Sequence, residues 1–274
     1  MRRRTLLSAL AAASVAASPM PSWAQNATFD HSYADWDKLL KAYVHWLPDG
    51  KQSRVDYQGF ASQRAELQRI LAQWSALSAS VFAAFSREQQ IAFLVNAYNG
   101  FTIELILTKY PQLKSIKELG SFLSSAWKIK FFTLLGESHN LDWIEHEQLR
   151  PKYQDPRLHT AVNCASIGCP ALRPEAFNAK TLDTQLEDGM QRFLGDRSRN
   201  RYNPQTGDLE VSSIFKWFWE DFEKGNKGFS QLEDVFAHYA DQLTEDAAGR
   251  AKLRAKTASI RFLDYDWSLN AKGK

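Results

Sequence analysis

Cysteine is scarce in this chain, with two in 274 residues, and no acid balances the three arginines at its start. Zinc would therefore lack the tight C-x2-C pair that marks its strongest signatures. Long apolar runs are absent too. No stretch beyond the N-terminus reaches the ~18 apolar residues of a transmembrane helix, so no membrane span is expected. The formal charge is +3, and residues 1–24 carry three arginines and no acid, so the remainder is neutral, 3 − 3 = 0. A neutral chain with interspersed charges has no basic stripe for nucleic acid or an anionic membrane. Repeats, low-complexity linkers and Pro/Ser-rich hinges are missing after Asp30. About 250 residues in a sequence that is 44% apolar can bury a full core, which makes 25–274 a single globular domain.

The N-terminus reads as a leader. Arg2, Arg3 and Arg4 precede an apolar stretch from Thr5 to Ala17, and Ser22-Trp23-Ala24 places small residues where a signal peptidase reads, so cleavage before Gln25 is expected. The h-region is too short to span a bilayer. The Arg3-Arg4-Thr5-Leu6-Leu7 order resembles the twin-arginine export signal, and an ordinary secretory signal fits nearly as well. Either route places the mature chain in the periplasm or outside the cell.

Apolar spacing predicts a helix over Tyr33–Trp46 and another over Arg64–Leu77, the latter with Leu67, Ile70, Leu71 and Trp74 on one face. Ser86 and Gln89 form a capping box ahead of a helix to Leu107 that is apolar nearly all round, as a central buried helix should be. Two apolar segments around Gly136-Glu137 predict a hairpin, and a second is predicted across Arg201–Val211. Asp142 is expected to cap a short helix stopped by Pro151, with Glu145 closing a capping box. Arg157–Val162 alternates and reads as a strand leading into the cysteines. Helices over Thr181–Leu194, from Ser213 and from Ser230 complete an α+β fold, helix-dominated, with a small antiparallel sheet.

Both cysteines lie in the segment Asn163–Leu172. Cys164 and Cys169 are close enough in sequence for a disulfide, and an oxidising compartment would favour one. The same position at the end of a strand could present a catalytic or redox thiol, provided a base or positive group holds it as thiolate. A metal site is the weaker third reading. If the strand runs on through Cys164, side-chain alternation turns His159 away from it and leaves His146 as the partner. A catalytic reading requires a histidine nitrogen within hydrogen-bond reach of Cys164. Asn96 and Asn99, three apart on the central helix, share a face, where they act as a structural clamp or line a polar floor. The aromatic run Phe215–Trp219 is read as packing rather than a sugar-stacking platform.

Several blocks together carry a resemblance: Val55–Tyr57, Phe93–Asn99, Leu141–His146 with Leu149-Arg150, Asp155–His159 leading to Asn163–Pro170, Ser212–Trp217 with Asp221-Phe222, and Tyr265–Asn270. In order and spacing they resemble the domain-of-unknown-function family 547, over nearly the whole mature chain. That resemblance names no activity. The set of Asn, Glu-His, His and Cys is similar in kind to papain-like and transglutaminase-like thiol enzymes in permuted order, a likeness at the level of fold analogy. It implies Cys164 as nucleophile and His146 as base with His159 in competition. Asn96 or Glu145 would orient the imidazole, and the amides of Ala165 and Ser166 are candidates for an oxyanion hole. The leading expectation is an extracytoplasmic thiol hydrolase or acyltransferase acting on an amide or ester of an unidentified small-molecule, peptide or envelope substrate. No cofactor or metal is assigned. The alternative is a non-catalytic envelope binding or scaffold protein with Cys164 and Cys169 bridged.

Overall fold

A computed structural model describes residues 29–121 and 124–273; the expected leader, 1–24, lies outside the described residues. Residues 31–274 make one compact unit. Helix α1 (Ala34–Tyr43) ends earlier than its apolar spacing suggests, because Val44–Trp46 turns extended as β1 and pairs antiparallel with β2 (Ser53–Val55). Helices α2 (Tyr57–Ser62), α3 (Arg64–Ser75) and α4 (Ala79–Ala83) then pack around α5 (Arg87–Leu107). The Ser86/Gln89 capping box forms in both directions. Helix α5 is buried on every side, as its all-round apolar composition requires. Among the described residues it is the one helix long and apolar enough to cross a membrane, and the protein core covers it.

Strands β3 (Phe132–Leu134) and β4 (Glu137–His139) form the first predicted hairpin. Its turn is Leu135-Gly136, both at positive φ, one residue earlier than Gly136-Glu137 suggested. A π-helix follows over Trp143–Leu149 and runs directly into α6 (Arg150–Tyr153). Two expectations fail here. Pro151 does not stop the helix, which continues past it to Tyr153. Asp142 makes no cap; the Asn140 side chain takes the Trp143 amide instead, at 2.8 Å, which removes Glu145 from any capping box.

The expected strand over Arg157–Val162 is a 3-10 helix, Pro156–Thr160. Asp155 accepts from the Arg157 amide, Pro156 presets the first helical φ, and the Leu158 and Ala161 amides bond three residues back. Arg157 interrupts the apolar pattern yet is buried, because Asp155, Asp183 and Glu187 surround its guanidinium. Side-chain alternation therefore does not apply to His159.

Helix α7 (Leu182–Gly195) leads to β5 (Arg201–Tyr202) and β6 (Leu209–Ser212), the second predicted hairpin. Short helices α8 (Ser213–Trp217), α9 (Trp219–Glu223), α10 (Leu232–His238), α11 (Ala240–Leu243) and α12 (Ala247–Arg254) pack over them on a core that includes Phe193, Phe215, Phe222 and Phe236. Strand β7 (Ile260–Leu263) adds to β6 in parallel. The fold is α+β and helix-dominated. Among the described residues its strands form three small sheets rather than one, and the last is mixed.

Candidate functional site

Cys164 lies in a turn built by asparagines. Asn99 of α5 donates from Nδ2 to the Ala161 carbonyl at 3.0 Å and accepts from the Asn163 amide at 2.8 Å. Asn163 in turn donates to the Pro170 carbonyl and accepts from the Ala165 amide, each within 2.9 Å. These groups are buried, where an unmade bond would cost about 1–3 kcal/mol, so together they fix the turn. Ala165 takes a left-handed φ of 62°, uncommon for a residue with a Cβ.

The C-terminal segment closes over this turn. Ile167 and Gly168 donate backbone bonds to Ser268 and Asp266, each at 2.8 Å, and Asn270 donates back to Ala165. Gly168 allows this close approach: a Cβ would stand 3.0 Å from the Asp266 carbonyl and the Tyr265 ring, which would have to give by a few tenths of an ångström. That approach brings the Tyr265 hydroxyl to 3.1 Å from Cys164 Sγ, while Ser166 Oγ lies at 3.0 Å from the same sulfur and from Tyr265. The Cys164 amide donates to Cys169 Sγ at 3.0 Å.

These contacts separate the two thiols, both of which are free. Burial by itself would raise the Cys164 pKa, but hydrogen bonds from Cys169, Ser166 and Tyr265 outweigh it and bring the pKa down to about 7. Burial, with Cys164 alongside, pushes the Cys169 thiol well up. Tyr265 is itself held above its ordinary range, first by burial and then by the two sulfurs, so it stays a phenol able to donate. Cys164 is the more acidic thiol of the pair.

Cys164 and Cys169 both line a cavity of about 190 Å³. His159, His146 and Glu145 line the same cavity, with aromatic walls from Trp127, Trp217, Phe218, Tyr265 and Trp267. His159 is buried, stacks on Phe218 at 4.2 Å, and places Nε2 2.8 Å from Asp221 Oδ2. A carboxylate only accepts, so the Nε2–H donates to it, and no hydrogen bond engages Nδ1 among the described residues. Burial opposes the Asp221 charge, but His159 and Arg150 hold that carboxyl well below the usual range. His146 contacts Arg150 through Nδ1 at 3.0 Å and lies 3.7 Å from Asp142 through Nε2.

Neither histidine hydrogen-bonds to Cys164. The preformed Cys–His bond by which the catalytic reading was to be judged is absent, which counts against that reading; hydroxyl groups take its place around the sulfur, and His159 could act with Cys164 only in a substrate complex, where catalytic hydrogen bonds often first form. Parity along a strand had turned His159 away from Cys164; the 3-10 helix brings both to one cavity, with Asp221 behind the imidazole. Asn96 is elsewhere. Its amide clamps the Phe177 backbone through two bonds, at 2.8 and 3.0 Å, and it does not orient an imidazole. Glu145 lines the cavity but bonds to neither histidine. The Ala165 amide is occupied by Asn163, which removes it as an oxyanion donor, whereas the Ser166 backbone already favours the charged sulfur. Among the described residues, no group of His, Cys, Asp and Glu is placed to hold a metal ion.

Residues 82–194 match the family model for "Protein of unknown function, DUF547". The matched segment runs from α4 through α5 and the π-helix to the cysteine turn and the end of α7, so it supports the family resemblance for the part of the chain that carries Glu145, His146, His159 and Cys164. Trp217, Phe218, Tyr265 and Trp267 complete the cavity from outside it, with Asp221 behind His159. No curated protein and no solved structure matches the chain.

Reasoning from sequence missed Tyr265, Ser166 and Asp221 as parts of the site. Tyr265 and Asp221 stood in two of the quoted family blocks, so the signal for them existed; Ser166 lay between the cysteines and was weighed only for its amide. The aromatic run divides: Phe215 is core, Phe218 packs on His159, Trp217 walls the cavity at 45% exposure, and Trp219 is exposed without lining it.

Proposed function

We propose that this chain is a thiol hydrolase or acyltransferase of the periplasm or cell exterior, with Cys164 as nucleophile and His159 as acid and base. The observation that carries the reading is a cavity-lining cysteine, Cys164, brought to a pKa of about 7 by Cys169, Ser166 and Tyr265, with an Asp221-bound imidazole on the same cavity wall. A thiolate close to half-formed at neutral pH combines nucleophilicity with availability. In the reaction, His159 takes the Cys164 thiol proton, the resulting thiolate adds to an ester or amide carbonyl, and Tyr265 donates to the developing oxyanion. The bond from carbonyl carbon to alcohol or amine breaks, and the leaving group takes a proton from the His159 imidazolium. Water or an acceptor amine then attacks the thioester, gives its proton back to His159, and releases the thiolate. The likeness to papain-like enzymes rests on these roles and not on a matched fold.

The scaffold reading draws on a different observation: no histidine bonds to Cys164, and the two cysteines touch through the Cys164 amide. Oxidation of that pair would end catalysis. Thiol counting on natively exported protein, followed by iodoacetamide labelling against pH, decides between them. Two free thiols with Cys164 alkylating along a midpoint near pH 7 is the result expected of the enzyme. A natively bridged pair, or a Cys164 that titrates like a free cysteine near ~8.5, favours the scaffold. The intact mass of exported protein tests the location, and residues 25–274 are the expected product.

A further inference from the structure

Glu145 stands apart from the other carboxylates of the site. It is 8% exposed and lines the cavity, yet among the described residues its side chain makes no hydrogen bond and no ion pair. Its oxygens are not among the sealed, unpartnered polar atoms of the interior, so the carboxylate opens onto the cavity and is available to a ligand there. Its surroundings narrow the chemistry. Asp142 lines the same cavity, and no lysine or arginine does. The nearest guanidinium, Arg150, is committed to Asp221, His146 and the Phe218 ring. The histidines are the remaining basic groups in the lining, and His159 is engaged by Asp221.

The walls fit the same ligand. Trp217, Tyr265 and Trp267 form one aromatic cluster with ring centroids 4.5–5.7 Å apart, continued by Trp127 at 5.8 Å from Trp267. Trp267 already accepts a cation from outside the cavity: Lys117 Nζ stands 4.8 Å from its ring centroid. Ring faces beside an unpaired carboxylate attract a cation through the ring quadrupole and through charge, and they repel an anion.

We propose that this cavity is a subsite for an alkylammonium group of the substrate, with Glu145 as its counter-ion and the faces of Trp217, Tyr265 and Trp267 as its cage. The inference rests on the cavity being a substrate site, as proposed above, and it narrows the substrate from any ester or amide to one bearing a primary amine near the reacting carbonyl. Among thiol acyl transfers, that places an amine-bearing peptide or amino-acyl group within a single cavity length of Cys164.

The test uses three probes of one size, n-butylammonium, 1-butanol and butyrate, on the full chain. Binding is read by tryptophan fluorescence and by protection of Cys164 from iodoacetamide. Butylammonium is expected to act at about tenfold lower concentration than butanol, with butyrate weakest. Glu145→Gln should bring butylammonium to the level of butanol while leaving butanol unchanged, which also reports that the cavity is intact. Equal action of ammonium and alcohol on the parent protein overturns the proposal whether or not the variant folds. So does an ammonium preference that survives in Glu145→Gln. Repeating the fluorescence titration in Cys164→Ser separates the two readings: an ammonium preference there, alongside a thiol that titrates like free cysteine in the parent, keeps the subsite and rejects the enzyme.

Discussion

On one side of the cavity, the cysteine turn and the C-terminal segment are bonded through nearly every polar group, from Asn99 and Asn163 to Ser166 and Tyr265. On the other, the π-helix and the 3-10 helix present Glu145 with no side-chain partner and His159 with no bond to Nδ1, among the described residues. Cys164 and Tyr265 on the first side are half-buried and Glu145 and His159 on the second are buried, so exposure does not explain why the more buried groups are the less bonded. A nucleophile gains from being fixed and electrostatically prepared before the substrate arrives, because nothing then needs reorganising in the reaction. Groups that meet a substrate must instead keep bonding capacity in reserve. A π-helix suits the second task, since its widened turn displaces side chains from ordinary helical positions and is frequent at functional sites.

The contrast breaks most severely at Asn99. Asn99→Leu deletes two bonds and strands the Ala161 carbonyl and Asn163 amide in the interior, costing ~2–4 kcal/mol. The melting temperature should fall by roughly 10 °C, and thermal unfolding followed by circular dichroism reads it directly. An unchanged melting point would mean that the prepared side is not held by this clamp.

Asp221→Asn acts on the opposite side and should cost less, ~1–3 kcal/mol at neutral pH, because Arg150 and His159 lose their counter-charge while the shape persists. The native Asp221 pKa is depressed. Its charge therefore contributes stability above the unfolded value near ~3.9, and that contribution is lost as pH falls toward the folded value. The gap between parent and variant, full at pH 6, should narrow below pH ~4 in melting curves. A gap constant across that range would mean that the carboxylate charge is not what matters.

Tyr265→Phe sharpens the comparison within the prepared side. Removing a donor leaves burial less opposed, so the Cys164 pKa should rise from about 7 toward the free value. One unit is ~1.4 kcal/mol and about tenfold in alkylation rate at pH 6, measurable by mass spectrometry of the iodoacetamide adduct. Ala165→Gly should have the smallest effect. It relieves a left-handed φ of 62° but adds backbone freedom to the unfolded chain, two terms of ~0.5–1 kcal/mol that nearly cancel. A melting shift of more than a few degrees would show that the Ala165 methyl packs in a way its φ does not reveal.

Local signals determined much of this protein. The Ser86/Gln89 box, the apolar girth of α5 and the turn residues of both hairpins each act within a few residues, and each gave its element. The alternation over Arg157–Val162 misled because a period of two also arises when a buried arginine interrupts apolar positions; Asp155, Asp183 and Glu187 decided that case, and two of them are more than 25 residues away. The asparagine pair was legible as a clamp, but not what each one held. Cys164 could be singled out from its neighbours in sequence, whereas its pKa could not. That depends on Tyr265, 101 residues further on, brought to the sulfur because Gly168 leaves room for the C-terminal segment. Propensity and capping are short-range properties and reside in sequence; the charge state of a thiol and the partner of a buried carboxylate depend on which distant groups the chain packs around them.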